Sequence, residues 1–187
     1  MEGKCIILCA PSGAGKTSIT KYLLQQNLGL EFSISACNRE KRANEIDGVD
    51  YHFLSTEDFK KRIENNEFAE WEEVYKDNYY GTLKTEINRI WNSGKNVIFD
   101  VDVEGGLSLT KHFGEKALAM FIKPPSFEAL EARLRARGTE DEEKIQSRLN
   151  KAHKELEFSK WFDYIVLNDN LKDAQKEAHM LVKTFLK

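Results

Sequence analysis

The sequence predicts an α/β fold in which a five-stranded parallel sheet is flanked by helices and interrupted by a small mixed α/β lobe. Three observations carry that prediction. Five short apolar runs recur along the 187 residues, each followed directly or after an insertion by a helical pattern. Such alternation places parallel strands between two helical layers and gathers ligands at the carboxyl ends of the strands. The first run opens onto a glycine-containing loop and a helix. Between about 36 and 83 the rhythm breaks into shorter segments of another kind.

The elements follow in order. "KCIILC" reads as the first strand, and "APSGAGKTS" at 10–18 leads from it into the helical "ITKYLLQQ". Apart from Ala10 at the leading glycine position, Ala10, Pro11, Ser12, Gly13, Ala14, Gly15, Lys16, Thr17 and Ser18 fit a phosphate-binding loop. Small residues let backbone N–H groups approach an anion, and the helix behind them adds the positive end of its dipole. Lys16 then reaches the β- and γ-phosphates, and the Thr17 hydroxyl meets a magnesium ion already chelated by them. "EFSIS" at 31–35 reads as the second strand. The interrupting lobe holds a charged loop, the strand "DYHFL", a helix opened by Ser55 with Asp58 three residues on, and the alternating "EFAEWEEVY". "NVIFDVD" at 96–102, "KALAMFIK" at 116–123 and "DYIVLND" at 163–169 complete the sheet, with "FEALEARLRARG", "EEKIQSRLNKAHKELEF" and "LKDAQKEAHMLVKTFL" as helices.

Composition narrows the classes. A net charge of −3 argues against a general nucleic-acid or anionic-membrane binder and leaves small anions as the expected partners. No segment approaches the roughly 18 continuous apolar residues of a membrane span, so the expected setting is the cytoplasm. Cys5, Cys9 and Cys37 are odd in number and lack metal-ligand spacing, which suits a reducing compartment. Cys5 and Cys9 alternate within a strand as core residues do.

Two arginine sets stand out. Arg39 and Arg42 lie in a loop leaving the second strand, where two guanidinium forks can grip a phosphate or simply face water. Arg133, Arg137 and Arg148 flank a Gly138-Thr139 break between helices, the pattern of a movable flap and also of a solvated surface. His52, His112, His153 and His179 are scattered and read as structural or surface residues.

At this point the chain resembles guanylate kinase from about residue 4 to 186, through "APSGAGKTS", "SISACNREKR", "GVDYHF", "EFAEWEEVY", "NYYGT", "IFDVDVEGG", "IKPPS", "RLRARG", "SRL" and "VLND" in order. The resemblance implies a P-loop kinase core at 1–35 and 84–187, a helical lid at about 126–158 and an inserted GMP-binding lobe at 36–83. It implies ATP and GMP as substrates with Mg2+, no nucleic-acid or membrane partner, and a monomer or homodimer. Ser35, Arg39, Arg42, Glu45, Tyr51 and Tyr80 are then expected around the GMP phosphate and neighbouring groups, and Glu70, Thr82 and Asp102 at guanine. Asp100 is expected near the transferred group, Arg133, Arg137 and Arg148 on the lid, and Asn168 near adenine.

Guanine's N1–H and N2–H donors beside its O6 acceptor call for carboxylates on one side and a hydroxyl on the other, as Glu70, Asp102, Ser35 and Thr82 provide. Read without the resemblance, Glu70 is an acidic residue facing water on an alternating strand. The chain departs from the family pattern at Cys37-Asn38, where Thr-Thr is usual, and at Asn44, where glycine is usual. Asn44 is expected to keep a left-handed turn. Cys37 is either a thiol activated by the adjacent arginines or a passive small residue. Two other readings stay open: a non-catalytic interaction module, which should lack Lys16 or the lid arginines, and a kinase for another monophosphate, which should lack the guanine-reading set.

Overall fold

The structure, a computed structural model, describes residues 3–136 and 142–187. The chain opens with β1 (Cys5–Cys9), α1 (Lys16–Gln25) and β2 (Leu30–Phe32). It leaves the core for β3 (Ala36–Cys37), β4 (His52–Phe53), α2 (Thr56–Glu64), β5 (Phe68–Tyr75) and β6 (Asn78–Leu83). It returns through α3 (Lys84–Asn92), β7 (Asn96–Asp100), α4 (Val103–Phe113), β8 (Ala117–Lys123), α5 (Phe127–Ala136), α6 (Glu142–Glu157), β9 (Tyr164–Leu167) and α7 (Leu171–Leu186). Among the described residues, no helix is long and apolar enough to cross a membrane.

Five strands pair in parallel in the order β2-β7-β1-β8-β9. β1 lies at the centre with all five residues buried, which is why its sequence is a continuous apolar run. Its side chains alternate between two cores. Ile6 and Leu8 join Ile19 and Leu23 of α1 and Ala178 and Val182 of α7. Cys5, Ile7 and Cys9 join Ile90 of α3, Leu109 of α4 and Phe99 of β7. Burying each such Ile or Leu contributes about 1.5–3 kcal/mol, so the strand that carries the loop is firmly anchored.

The second sheet has the order β4-β3-β6-β5, with β3 and β4 parallel and the β6 pairings antiparallel. Its own small core stacks Phe59 of α2 on Phe68 of β5, ring centroids 4.4 Å apart, beside Tyr79 and Leu83. Ser55 caps α2 as expected, its hydroxyl accepting the Asp58 N–H at 3.0 Å.

Three expectations require correction. The second core strand stops at Phe32 rather than Ser35: Ser33 N–H still reaches the Ile98 carbonyl at 3.1 Å, but Ile34 N–H turns to the buried Glu86 carboxylate at 3.2 Å. The run at 96–102 stops being strand at Asp100, because Asp102 caps α4 and accepts the Gly105 N–H at 2.9 Å. Asn44 is not left-handed; among the described residues, Asn66 and Asp77 are the non-glycines with positive φ. An Arg42-to-Glu45 turn closes instead through Glu45 N–H to the Arg42 carbonyl at 3.1 Å, and the Glu45 carboxylate accepts Arg42 N–H at 2.9 Å.

Candidate active site

The phosphate loop folds over the end of β1. Gly13 and Gly15 have φ of 92° and 98°, the left-handed region that favours glycine, and Gly15 is the N-cap of α1. No side chain caps that helix end, so its first N–H groups are left for an anion. Asn168 lies beneath the loop, 4% exposed, its amide donating to the Ala14 carbonyl at 2.7 Å. Arg133 in turn donates to the Asn168 carbonyl at 2.9 Å. These two residues, expected at adenine and on a lid, here brace the loop.

Lys16 begins α1, and its ammonium meets the Asp100 carboxylate at 2.5 Å and the Val101 carbonyl at 2.5 Å. The loop and α6 enclose a first cleft of about 570 Å³, its floor formed by Ser12, Gly13, Gly15, Lys16, Thr17 and Ser18. Its far wall carries Lys144, Ser147, Arg148, Lys151 and Glu155. Arg148 crosses the gap and donates to the Ser12 hydroxyl at 2.6 Å. Arg137 lies outside the described residues.

A second cleft of about 480 Å³ opens toward the second sheet and is lined there by Ser35, Tyr51, Glu70, Glu72 and Tyr80. Lys16, Asp102, Arg148 and Lys151 line both clefts. Tyr51 and Tyr80 meet edge to face with ring centroids 6.1 Å apart. Arg39 stacks over Tyr51 at 4.9 Å and grips Glu45 with two bonds of 2.7 and 2.6 Å. That pairing holds the Glu45 carboxyl down at about 2. Arg42 is exposed on the neighbouring turn.

Glu70 is 9% exposed, and Thr82, with no exposure, donates its hydroxyl to Glu70 Oε1 at 2.6 Å. Thr82 therefore orients the carboxylate here instead of presenting its hydroxyl to the cleft. A Cβ at Gly105 would stand 3.2 Å from Glu70 Oε2 and 3.2 Å from Asp102 Oδ1, so the bare glycine gives both carboxylates room to converge. Burial pushes the Glu70 carboxyl up to about 7, against the opposing Thr82 hydrogen bond.

Sequence reasoning did not single out Glu72, Lys144, Ser147, Lys151 or Glu155. The helical spacing of Lys144, Arg148, Lys151 and Glu155, at i, i+4, i+7 and i+11, was the available signal for the α6 face. Cys37 is the passive alternative: it has no exposure, and burial pushes its thiol up. None of the four histidines lines either cleft. Among the described residues, no group of three or more His, Cys, Asp or Glu is placed to hold a metal. The exposed Thr17 hydroxyl at the loop fits an ion that arrives on a nucleotide's phosphates.

The residues also have known counterparts. A family model described as Guanylate kinase matches residues 2–185. The chain is 52% identical over 186 residues to the guanylate kinase of Bacteroides thetaiotaomicron, covering 100% of this chain and 91% of that relative. It is 49% identical over 184 residues to the guanylate kinase of Porphyromonas gingivalis, covering 98% of each. The crystal structure of guanylate kinase from Anaplasma phagocytophilum has the same fold, with a TM-score of 0.76 at 24% identity over 97% of this chain and 85% of that one. A phosphate loop and two confluent clefts, matched almost end to end by these relatives, place the chain in the guanylate kinase family.

Proposed function

We propose that the protein transfers the γ-phosphoryl group of ATP to GMP, giving ADP and GDP, with the ATP phosphates in the first cleft and GMP in the second. The observation that carries this division is the shared wall: Lys16 and Arg148 line both clefts, so two bound nucleotides meet at the same cations. In this reading residues 36–83 act as a GMP lobe on a core of 1–35 and 84–187, and the 126–158 region acts as a lid. Both clefts are built by one chain. Three buried free cysteines fit a reducing, cytoplasmic setting.

The acceptor is a phosphate oxygen that is already anionic near neutral pH, so transfer needs no strong general base. The obstacle is repulsion between a triphosphate and a monophosphate brought into line. Lys16, Arg148 and Lys151 offset it, and the phosphate-loop N–H groups hold the donor. Mg2+, met by Thr17, supplies further charge neutralisation when bound with ATP. Asp100 positions the Lys16 ammonium at the junction. Ser35, Tyr51, Tyr80, Arg39 and Arg42 surround the GMP phosphate, while Glu70 and Asp102 accept the guanine N–H groups. Closure of the lobe and lid then excludes water, which suppresses hydrolysis.

A guanosine and an adenosine joined through a chain of phosphates should span both clefts. This mixed compound is expected to bind far more tightly than either mononucleotide and than its adenosine–adenosine counterpart, as read by calorimetry. Equal affinity for the two bridged compounds would sink the two-cleft division.

Two further outcomes arise from the geometry. Arg148→Ala should lower kcat by roughly a hundredfold with little change in the KM for GMP, because a cation at the junction acts on the transferring group. Unchanged kcat with greatly weakened GMP binding would contradict that placement. Glu70 accepts N–H donors more strongly, and with both oxygens, when ionised, and burial pushes its carboxyl up to about 7 in the folded protein. The KM for GMP should therefore fall as pH rises from 6 to 8, and Glu70→Gln should flatten the change. The same shift makes stability decline as pH rises from about 4.5 to about 7 and level off above, because between these values the folded protein holds a proton that the unfolded chain has lost. A wild-type KM indifferent to pH, or an unchanged profile in Glu70→Gln, would show that Glu70 does not face the base.

A further inference from the structure

A buried carboxylate lies outside both clefts. Glu86, in the first turn of α3, is 4% exposed and lines neither of them. A charged side chain is rarely buried to this degree without partners, and those of Glu86 come from both parts of the chain. On the core side Arg89 grips both of its oxygens, Nε to Oε2 and Nη2 to Oε1 at 2.9 Å each, and reaches Glu31 of β2 at 2.6 Å. Lys95 joins the same Glu31 at 2.8 Å. Burial alone would push the Glu86 carboxyl up, but the Arg89 hydrogen bonds and the Ile34 N–H outweigh it and hold the carboxyl below the usual carboxylate range.

The remaining contacts lead into the second sheet. The chain leaves the core at 33–35, between β2 and β3, and returns where β6 runs into α3 at 83–84. Glu86 stands at the return and reaches across to the outward crossing, where its Oε1 accepts the Ile34 N–H at 3.2 Å. Its Oε2 faces Nε2 of His52 on β4 at 3.7 Å, an ion pair when the imidazole is protonated. Ile34 and His52 are the chain neighbours of Ser35 and Tyr51, which line the second cleft. The His52 N–H donates to the Ser35 carbonyl at 2.9 Å, so Ser35 is held on one side through Ile34 and on the other through β4. Tyr51 carries the Arg39 guanidinium over its ring at 4.9 Å.

We propose that Glu86 is a positioning residue for the acceptor phosphate: anchored in the core by Arg89, it sets where Ser35 and Tyr51 stand relative to Lys16 at the junction of the clefts. An apolar side chain there would fill the space but leave the Ile34 N–H unpaired and the outward crossing free to shift. Glu70 and Thr82 lie on β5 and β6, outside this chain of contacts, so the effect falls on the phosphate and not on the base. The inference rests on the reading of Ser35, Tyr51 and Arg39 as the residues around the GMP phosphate.

The test is steady-state kinetics with GMP, AMP and ATP for the wild-type protein, Glu86→Ala, Glu86→Gln and Arg39→Ala. Glu86→Ala should raise the KM for GMP by roughly ten- to thirtyfold and keep the KM for ATP within about twofold of wild type. Its kcat/KM should drop by the same factor for GMP and AMP, leaving the GMP-over-AMP ratio within about threefold. Glu86→Gln keeps an acceptor oxygen for the Ile34 N–H and should raise the KM for GMP by about three- to tenfold. The glutamine variant decides alone if the alanine variant melts below the assay temperature. An unchanged KM for GMP in the folded Glu86 variants overturns the inference, and so does an equal rise in the KM for ATP, as general loosening of the fold would give. Arg39→Ala tells the two failures apart. If it weakens GMP while the Glu86 variants do not, the inference fails and the GMP phosphate site stands; if it leaves the KM for GMP unchanged, both fall together.

Discussion

Lys16→Ala is expected to fold normally and to lose on the order of a thousandfold in turnover, about 4 kcal/mol of transition-state stabilisation. The fold should tolerate the change because the Lys16–Asp100 pair lies at a cleft mouth, with side-chain exposures of 18% and 17%, where water can solvate the remaining carboxylate. A partly exposed pair of this kind contributes about 1 kcal/mol or less to stability. Chemistry depends on it far more, since no other residue of the first turn of α1 places an ammonium at the junction of both clefts. A thermal melt within a few degrees of wild type, together with collapsed ADP release, is the expected pair of readings. Near-normal turnover would mean that the loop does not hold the transferring phosphates.

Glu70→Ala should raise the KM for GMP by roughly a hundredfold while changing that for ATP little, and should erode the rejection of AMP. Adenine N1 is an acceptor and its C2 bears only hydrogen, so the intact Glu70 carboxylate meets no donor there. Leaving such a charged group unpaired costs roughly 1–3 kcal/mol or more, and several such contacts together exclude AMP by about four orders of magnitude. The alanine variant also leaves the fully buried Thr82 hydroxyl without its acceptor, so Glu70→Gln is the companion that protects the fold. Thr82→Ala should shift GMP binding in the same direction more mildly, because Thr82 acts through Glu70. Arg39→Ala and Arg42→Ala should weaken any monophosphate, whatever its base. Steady-state kinetics of the variants with GMP and AMP reads all of these effects.

The parallel core was legible because β1, β7 and β8 are buried on both faces and therefore appear as unbroken apolar runs. Their ends were less legible. Whether Asp102 continues a strand or caps a helix depends on the Gly105 N–H that meets it, and Asp is compatible with the cap only in that context. In "EFAEWEEVY" the alternation was plain, but register irregularities lie between Phe68 and Glu70 and between Glu73 and Tyr75. Neither lies between Glu70 and Glu73, so alternation puts Glu70 and Glu72 on one face and Glu73 on the other, but the sequence does not reveal which face meets the cleft. Glu70 and Glu72 do so, while Glu73 is exposed. The turn of the loop at 10–18 was legible, since Gly13 and Gly15 sit where positive φ requires them. The brace beneath it was not: Asn168 meets Ala14 across 154 positions of chain, a contact that no local pattern encodes.

In the proposed function one cleft selects GMP and the other delivers a phosphoryl group to it. The most direct measurement is ADP release, coupled to an optical readout, with Mg2+–ATP held constant and GMP, AMP, UMP and CMP offered in turn. The kcat/KM for GMP should exceed that for each of the others by on the order of a thousandfold or more. Comparable turnover of AMP or of either pyrimidine nucleotide, or no turnover of GMP, would contradict it.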